Sequence, residues 1–148
     1  MDYEAIAAGL NQMVPFAAYV GAHVEEVGPG TARVTLPDGD ERSNHVGSQH
    51  AGALFTAGEA ASGGAFVGAF AERMGDITPL AEKAEISYLK IARGTITANA
   101  TLQGDGEELL AELDQEGRVR FPVAVELTDA DGQVVCEMTV RWYVRKRG

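Results

Sequence analysis

The chain has 148 residues, with 22 acidic against 12 basic side chains and a formal net charge of −10. That length can bury a sizeable core, an apolar share of 45% argues against disorder, and the acidity argues against nucleic acid, whose phosphates call for a basic patch. A lone cysteine, Cys136, permits no intrachain disulfide, and with no signal-peptide pattern and no apolar run long enough for a membrane span, a cytoplasmic protein without a membrane partner is expected.

Asp2 can cap a short helix that carries Ile6, Leu10 and Met13 on one side. Residues 19–27 read as a strand, Gly28-Pro29-Gly30 as a turn, and the alternation of Ala32, Val34 and Leu36 with polar neighbours as the second arm of a hairpin. Residues 37–44 form a polar loop. From Ala51 to Ala71 the only charged residue is Glu59, and Ala, Gly, Ser, Thr and a few large apolar side chains fill the rest. Small residues at three- and four-residue spacing predict a helix buried on most sides. Its glycines cost roughly 1 kcal/mol each against alanine, a cost that close backbone approach by a curled sheet can offset. Glu72, Arg73 and Gly75 suit the exit.

Four strands are predicted beyond it: 83–91, 95–102, 118–127 and 134–144, the last two joined by a hairpin turn at Asp129-Ala130-Asp131-Gly132. The acidic stretch 104–117 holds Leu109, Leu110 and Leu113 and suggests one or two helical turns without a function. Cys136 and Trp142 fall in the alternating apolar pattern of the last strand, the first as a buried thiol, the second as core or interface. No repeat, linker or change of composition divides the chain. The reading is a single α+β domain over residues 1–148, with one long central helix wrapped by a curved, mainly antiparallel sheet of about five to six strands.

The chemistry gathers in residues 44–59. A polar loop from Asn44 to Gln49 leads into His50-Ala51-Gly52, which opens the long helix. The first N–H groups of a helix lack internal acceptors and favour negative charge, so they can hold a carbonyl oxygen while it becomes an oxyanion. Small side chains at Ala51 and Gly52 leave that backbone approachable. Two turns on, Glu59 sits in apolar surroundings, where a carboxylate is costly unless paired, hydrated or protonated. A water held by Glu59 can attack a carbonyl seated on the helix start, or the carboxylate can attack directly; the residues alone leave both routes open. The three histidines have no metal-ligand spacing, and neither a Gly-x-Ser-x-Gly elbow nor a phosphate-binding loop is present.

Asn44, His50 six residues later, and Glu59 nine residues after that on a small-residue helix resemble the hotdog-fold acyl-CoA thioesterases of the phenylacetic-acid-degradation type. Residues 86–92, Ile-Ser-Tyr-Leu-Lys-Ile-Ala, look like that family's strand after the helix. The resemblance implies the hotdog fold and hydrolysis of an acyl-CoA or related thioester. Glu59 would be base or nucleophile, the Ala51 N–H the main oxyanion donor helped by Gly52, Asn44 an orienter of water or thioester, and His50 a support of the loop or carbonyl site. Thr78 is the nearest match to the family's assisting hydroxyl. Ala51 departs from the pattern, which has glycine there. A homodimer is implied, with a tetramer as a dimer of dimers, Glu59 of one subunit facing the His50 loop of the other, and CoA phosphates meeting Lys90 and Arg93. CoA enters as part of the substrate, and no separate cofactor or metal is expected. Two other readings stand beside it: a non-catalytic acyl-CoA binding or sensing module, and an enoyl hydratase or dehydratase, although the Pro-Gly-rich loop around the histidine of those enzymes is missing.

Overall fold

Asp2 accepts a hydrogen bond from the Ala5 N–H at 3.0 Å and starts helix α1, Tyr3–Met13. The computed structural model describes residues 1–148 throughout. Ile6 and Leu10 pack against the core, as the spacing predicts, but Met13 is exposed and Ala7 is the buried member of the helix. The expected strand from Tyr19 is corrected at its beginning. Pro15 occupies the first position of a second short helix, α2, Pro15–Val20, where its fixed φ and missing N–H suit a helix start. Gly21, at φ 99°, ends it, and strand β1 is confined to His23–Gly28.

Strand β2, Thr31–Leu36, completes the hairpin. A 3-10 turn over Asp40–Arg42 interrupts the expected loop. The central helix α3 runs Ala51–Ala69 and continues into a 3-10 segment, Ala71–Asp76. Strand β3 begins earlier than expected, spanning Ile77–Tyr88, because its pairing with the last strand continues through Pro79 to the chain end. Strands β4, Ile96–Leu102, β5, Arg118–Thr128, and β6, Val134–Lys146, follow. The acidic connection forms a fuller helix than expected, α4, Gly106–Glu116. Asp105 caps its start and Gly117, at φ 78°, closes it. Arg73 and Lys146 both reach Asp114 on α4, at 2.6 and 3.0 Å, and fix the helix against the 3-10 segment and β6.

The six strands make one antiparallel sheet in the order β1-β2-β4-β5-β6-β3, curled around α3. This is the hotdog arrangement. α3 packs on β1, β2, β4 and β5 and touches β6. Its glycines bring the backbones together: a Cβ on Gly68 would collide with the Gly28 carbonyl oxygen, and one on Gly58 would lie 2.5 Å from Met138 Sδ. Phe66, Phe70, Phe121 and Trp142 form an aromatic cluster with ring centroids 5.0 to 5.7 Å apart. Cys136 is fully buried, and burial pushes its thiol up to about 11. None of the helices is long and apolar enough to cross a membrane.

β3 is an edge strand that runs beyond the cover of α3. Its pairing with the buried face of β6 turns Pro79, Ala84, Ile86 and Tyr88 to the helix side. None of these four is buried, and Tyr88 remains 48% exposed. Ala84 and Ile86 are only partly covered by the core, and an unpaired strand edge is left open on the same element.

Candidate functional site

The loop before α3 is held by its own polar groups. Asn44 Oδ1 accepts from the Val46 and Ser48 N–H groups, each at 3.0 Å, and Asn44 Nδ2 donates to Ser48 Oγ at 2.8 Å. Its amide therefore shapes the loop. Gln49 is buried and donates to the Pro37 and Gly94 carbonyls, while its N–H donates to the Ala92 carbonyl. Arg42, itself tied to Pro37, Val20 and Asp38 carbonyls, accepts the His50 N–H on its carbonyl at 2.7 Å. These bonds fix the direction in which the chain enters α3.

His50 is the N-cap. Its backbone is extended, φ −65° and ψ 140°, and its Nδ1 accepts the Gly52 N–H at 2.8 Å. With Nδ1 as acceptor, the proton of the neutral ring lies on Nε2, which becomes an outward donor. The Ala53 and Leu54 N–H groups bond the His50 carbonyl. Gly52 is therefore engaged, and the Ala51 N–H alone among the first four has no acceptor in the chain. Tyr88 Oη donates to the Ala51 carbonyl at 3.1 Å and ties the helix start to the open strand. Ala51, Gly52 and His50 are all exposed.

Glu59 lies on the same helix, eight residues from Ala51. At 1.5 Å rise per residue the two are about 12 Å apart along the axis. The Glu59 side chain is half-buried and has no hydrogen-bond or ion-pair partner in the chain. Burial pushes its carboxyl above the ordinary glutamate value. The neighbouring hydroxyls do not reach for it: Thr56 Oγ1 donates to the Gly52 carbonyl, and Ser62 Oγ donates to the Glu59 carbonyl and accepts from Trp142 Nε1 at 3.2 Å.

Glu59 instead forms part of the wall of a half-open pocket of about 170 Å³ between α3 and the α1–α2 pair, which Trp142, Met74 and Pro79 also line. A second, open groove runs beside the helix start between Phe16, Tyr19, His50 and Thr56. Thr78 is not brought to the Glu59 cavity. It pairs with Arg145 on the outward face of β3, and its neighbour Pro79 lines the cavity. Lys90 and Arg93 are exposed, make no ion pair, and flank Ala92 on the β3–β4 connection, whose carbonyl is bound to Gln49. By contrast Arg141 pairs with Glu82, and Lys146 with Asp114.

Sequence reasoning missed Arg42, Gln49 and Tyr88, whose contacts are made across long separations and leave no local spacing to read. It also missed the pocket wall supplied by α1 and α2, because residues 15–18 were assigned no element and Tyr19 and Val20 were read as the start of a strand.

The fold that carries these residues is shared with solved structures. A protein of Pseudomonas aeruginosa described as a probable thioesterase is 27% identical, with 97% of this chain and 95% of that one covered and a TM-score of 0.85. The PaaI protein of the Escherichia coli phenylacetic acid degradation operon is 19% identical over 96% of this chain and 91% of its own, with a TM-score of 0.72. A hypothetical thioesterase of Streptococcus pneumoniae, solved with coenzyme A, is 20% identical over 95% and 98%, with a TM-score of 0.71. These neighbours are hotdog-fold proteins, and the likeness to thioesterases of the PaaI type that residues 44–59 suggest is borne out in the fold. No curated protein matches the sequence. The family model for a domain of unknown function, DUF4442, matches residues 3–144, nearly the whole chain, and the protein belongs to that hotdog-fold family.

Proposed function

We propose that this protein hydrolyses an acyl-CoA thioester at a site built from two copies of the chain. The observation that carries the reading is the separation within α3. A reacting carbonyl must sit about 3 Å from its oxyanion donor and within reach of the attacking water, yet the Ala51 and Glu59 backbone positions are about 12 Å apart along one helix, and Glu59 opens into the pocket under α1 and α2 while the helix start borders the separate groove at Phe16 and Tyr19. Within one chain the two groups are not brought to a common pocket. An antiparallel α3 from a second copy brings Glu59 of one beside Ala51 of its partner, twice over, as a two-fold axis requires. The open edge of β3 and its partly covered apolar row support the pairing.

In this reading the thioester oxygen lies on the Ala51 N–H, with the outward Nε2–H of His50 beside it. Asn44 and Gly52 hold the loop and the imidazole in place through the bonds described above. Glu59 of the partner takes a proton from water as the hydroxide adds to the carbonyl carbon. The tetrahedral intermediate collapses with cleavage of the carbon–sulfur bond, and the thiolate takes up a proton to leave as CoA thiol. Burial makes Glu59 a stronger base than an ordinary glutamate, which suits that task. Lys90 and Arg93, unpaired and near the helix-start loop, meet the CoA phosphates. The probable thioesterase of P. aeruginosa and the CoA-bound protein of S. pneumoniae support this substrate class.

Release of free thiol from a panel of acyl-CoA esters tests the reading. Glu59→Gln is expected to lower turnover by about 100- to 10,000-fold, the range for a lost general base, while circular dichroism reports an intact fold. A mutant as fast as the parent removes Glu59 from the mechanism.

A further inference from the structure

The cavity beside Glu59 has a chemistry of its own. Along one face of α3, Glu59, Gly63 and Val67 follow at i, i+4 and i+8, so they form a continuous strip along its wall. Opposite stand Leu10, Val14 and Ala18 of the N-terminal helices, with the exposed Val14 at the open side, and Met74, Pro79 and Trp142 complete the lining. Asn11 also lines it, but both ends of its amide are bound to β1: Nδ2 to the Val24 carbonyl at 3.0 Å, and Oδ1 to the Val24 N–H at 2.8 Å. Glu59 is the only group in the wall whose polar side-chain atoms are not already engaged.

The pocket leaves apolar side chains without packing partners on one side, and Gly63 enlarges it by withholding a side chain. An added Cβ at Gly63 would meet the Trp142 ring at 3.7 Å, an ordinary contact. Sterics therefore do not demand glycine there.

We propose that this cavity receives the acyl tail of the substrate, and that it selects a compact, wholly apolar tail about the size of a phenyl ring or a six-carbon chain. The inference rests on the thioesterase reading and names the substrate class of that site. The volume carries the size: an enclosed apolar cavity of about 150 Å³ accommodates benzene, and this pocket, open on the Val14 side, measures about 170 Å³. The lining carries the polarity. A hydroxyl on the tail would be buried without a partner, since Asn11 is committed and Glu59 faces the reacting end. A tail with its carbonyl carbon at Glu59 lies across Gly63 toward Val67 and Met74. Gly63 is then the residue that sets tail length, and Val67 and Met74 form the far wall.

The experiment pairs thiol release with the fluorescence of Trp142, the single tryptophan of the chain. Acetyl-, hexanoyl-, phenylacetyl-, 4-hydroxyphenylacetyl- and palmitoyl-CoA are compared as substrates. The Glu59→Gln protein is titrated with hexanoyl-CoA and with CoA itself. The expected result is a kcat/KM for the hexanoyl and phenylacetyl esters at least about tenfold above the other three. Gly63→Val lowers the hexanoyl-to-acetyl ratio by about tenfold or more, and Gly63→Ala lowers it by a smaller step. Trp142 responds to hexanoyl-CoA but not to CoA, and the response disappears when Gly63→Val is added. Thiol release with the same acyl profile in both Gly63 variants overturns the inference, as does palmitoyl-CoA turned over as fast as hexanoyl-CoA. If no ester releases thiol, yet Trp142 senses the hexanoyl group and Gly63→Val abolishes that signal, hydrolysis fails and the cavity assignment stands.

Discussion

Glu59 carries a conflict between stability and chemistry that can be measured. It is half-buried and unpaired, and burial raises its pKa in the folded protein. A group with a raised folded pKa contributes stability fully below its unfolded value and loses it as pH rises through the folded value. Glu59→Gln resembles the protonated acid, so it is expected to melt higher than the parent at neutral pH. The difference should vanish below the ordinary glutamate range, and calorimetric melts from acid to neutral pH would check it. Under the proposed mechanism activity follows the opposite sign: Glu59 must be ionised to act as base, so kcat is expected to rise with pH through a midpoint above that of an ordinary glutamate. Coincidence of the two pH dependences would tie both to one carboxyl. This residue was legible in the sequence because a lone acid among small and apolar residues has no bland place to go. The engagement of Gly52 by His50 was not legible, since spacing places a histidine at the cap without saying which way its ring turns.

The central helix was legible as an element for the same reason that it is fragile. Its mean hydropathy and its small residues announce burial on most sides, and the structure shows why alanine would not serve at every position. At Gly68 an added Cβ falls on the Gly28 carbonyl oxygen, a backbone atom that cannot swing aside. Gly68→Ala is therefore expected to destabilise by about 1–3 kcal/mol despite alanine's better helix propensity. Gly9, in α1, has open space around the same position, and Gly9→Ala is expected to stabilise by roughly 0.8–1 kcal/mol. Urea titrations of the two variants should move in opposite directions. The N-terminal region was the least legible. Residues 19–27 satisfy a strand pattern, but Val14-Pro15 fixes a helix start and Gly21 a helix end, and those two local signals prevail over the apolar periodicity. α4 was underestimated because a single leucine, Leu113, is fully buried in it. Its hold on the body comes from Asp114, through ion pairs to residues 41 and 32 positions away that no local window contains.

At the scale of the whole molecule, the proposed pairing of Ala51 with Glu59 of a second copy can be tested with two complementary lesions. Ala51 is the first residue of α3, where proline is well tolerated, and His50 before it already has the extended backbone that a following proline favours. The Ala51 N–H bonds nothing in the chain. Ala51→Pro therefore deletes one donor and leaves the helix start in place. Loss of an oxyanion donor is expected to cost about 100- to 1,000-fold in kcat. Each variant alone, Ala51→Pro or Glu59→Gln, has two damaged sites per dimer. In a mixed dimer one site carries both lesions, and the other carries neither: Glu59 from the Ala51→Pro subunit meets the Ala51 N–H of the Glu59→Gln subunit. Mixing equal amounts under exchange conditions should make half the dimers mixed and recover about a quarter of parental activity. A site contained within one chain cannot be rescued in this way, because every chain in the mixture carries a lesion.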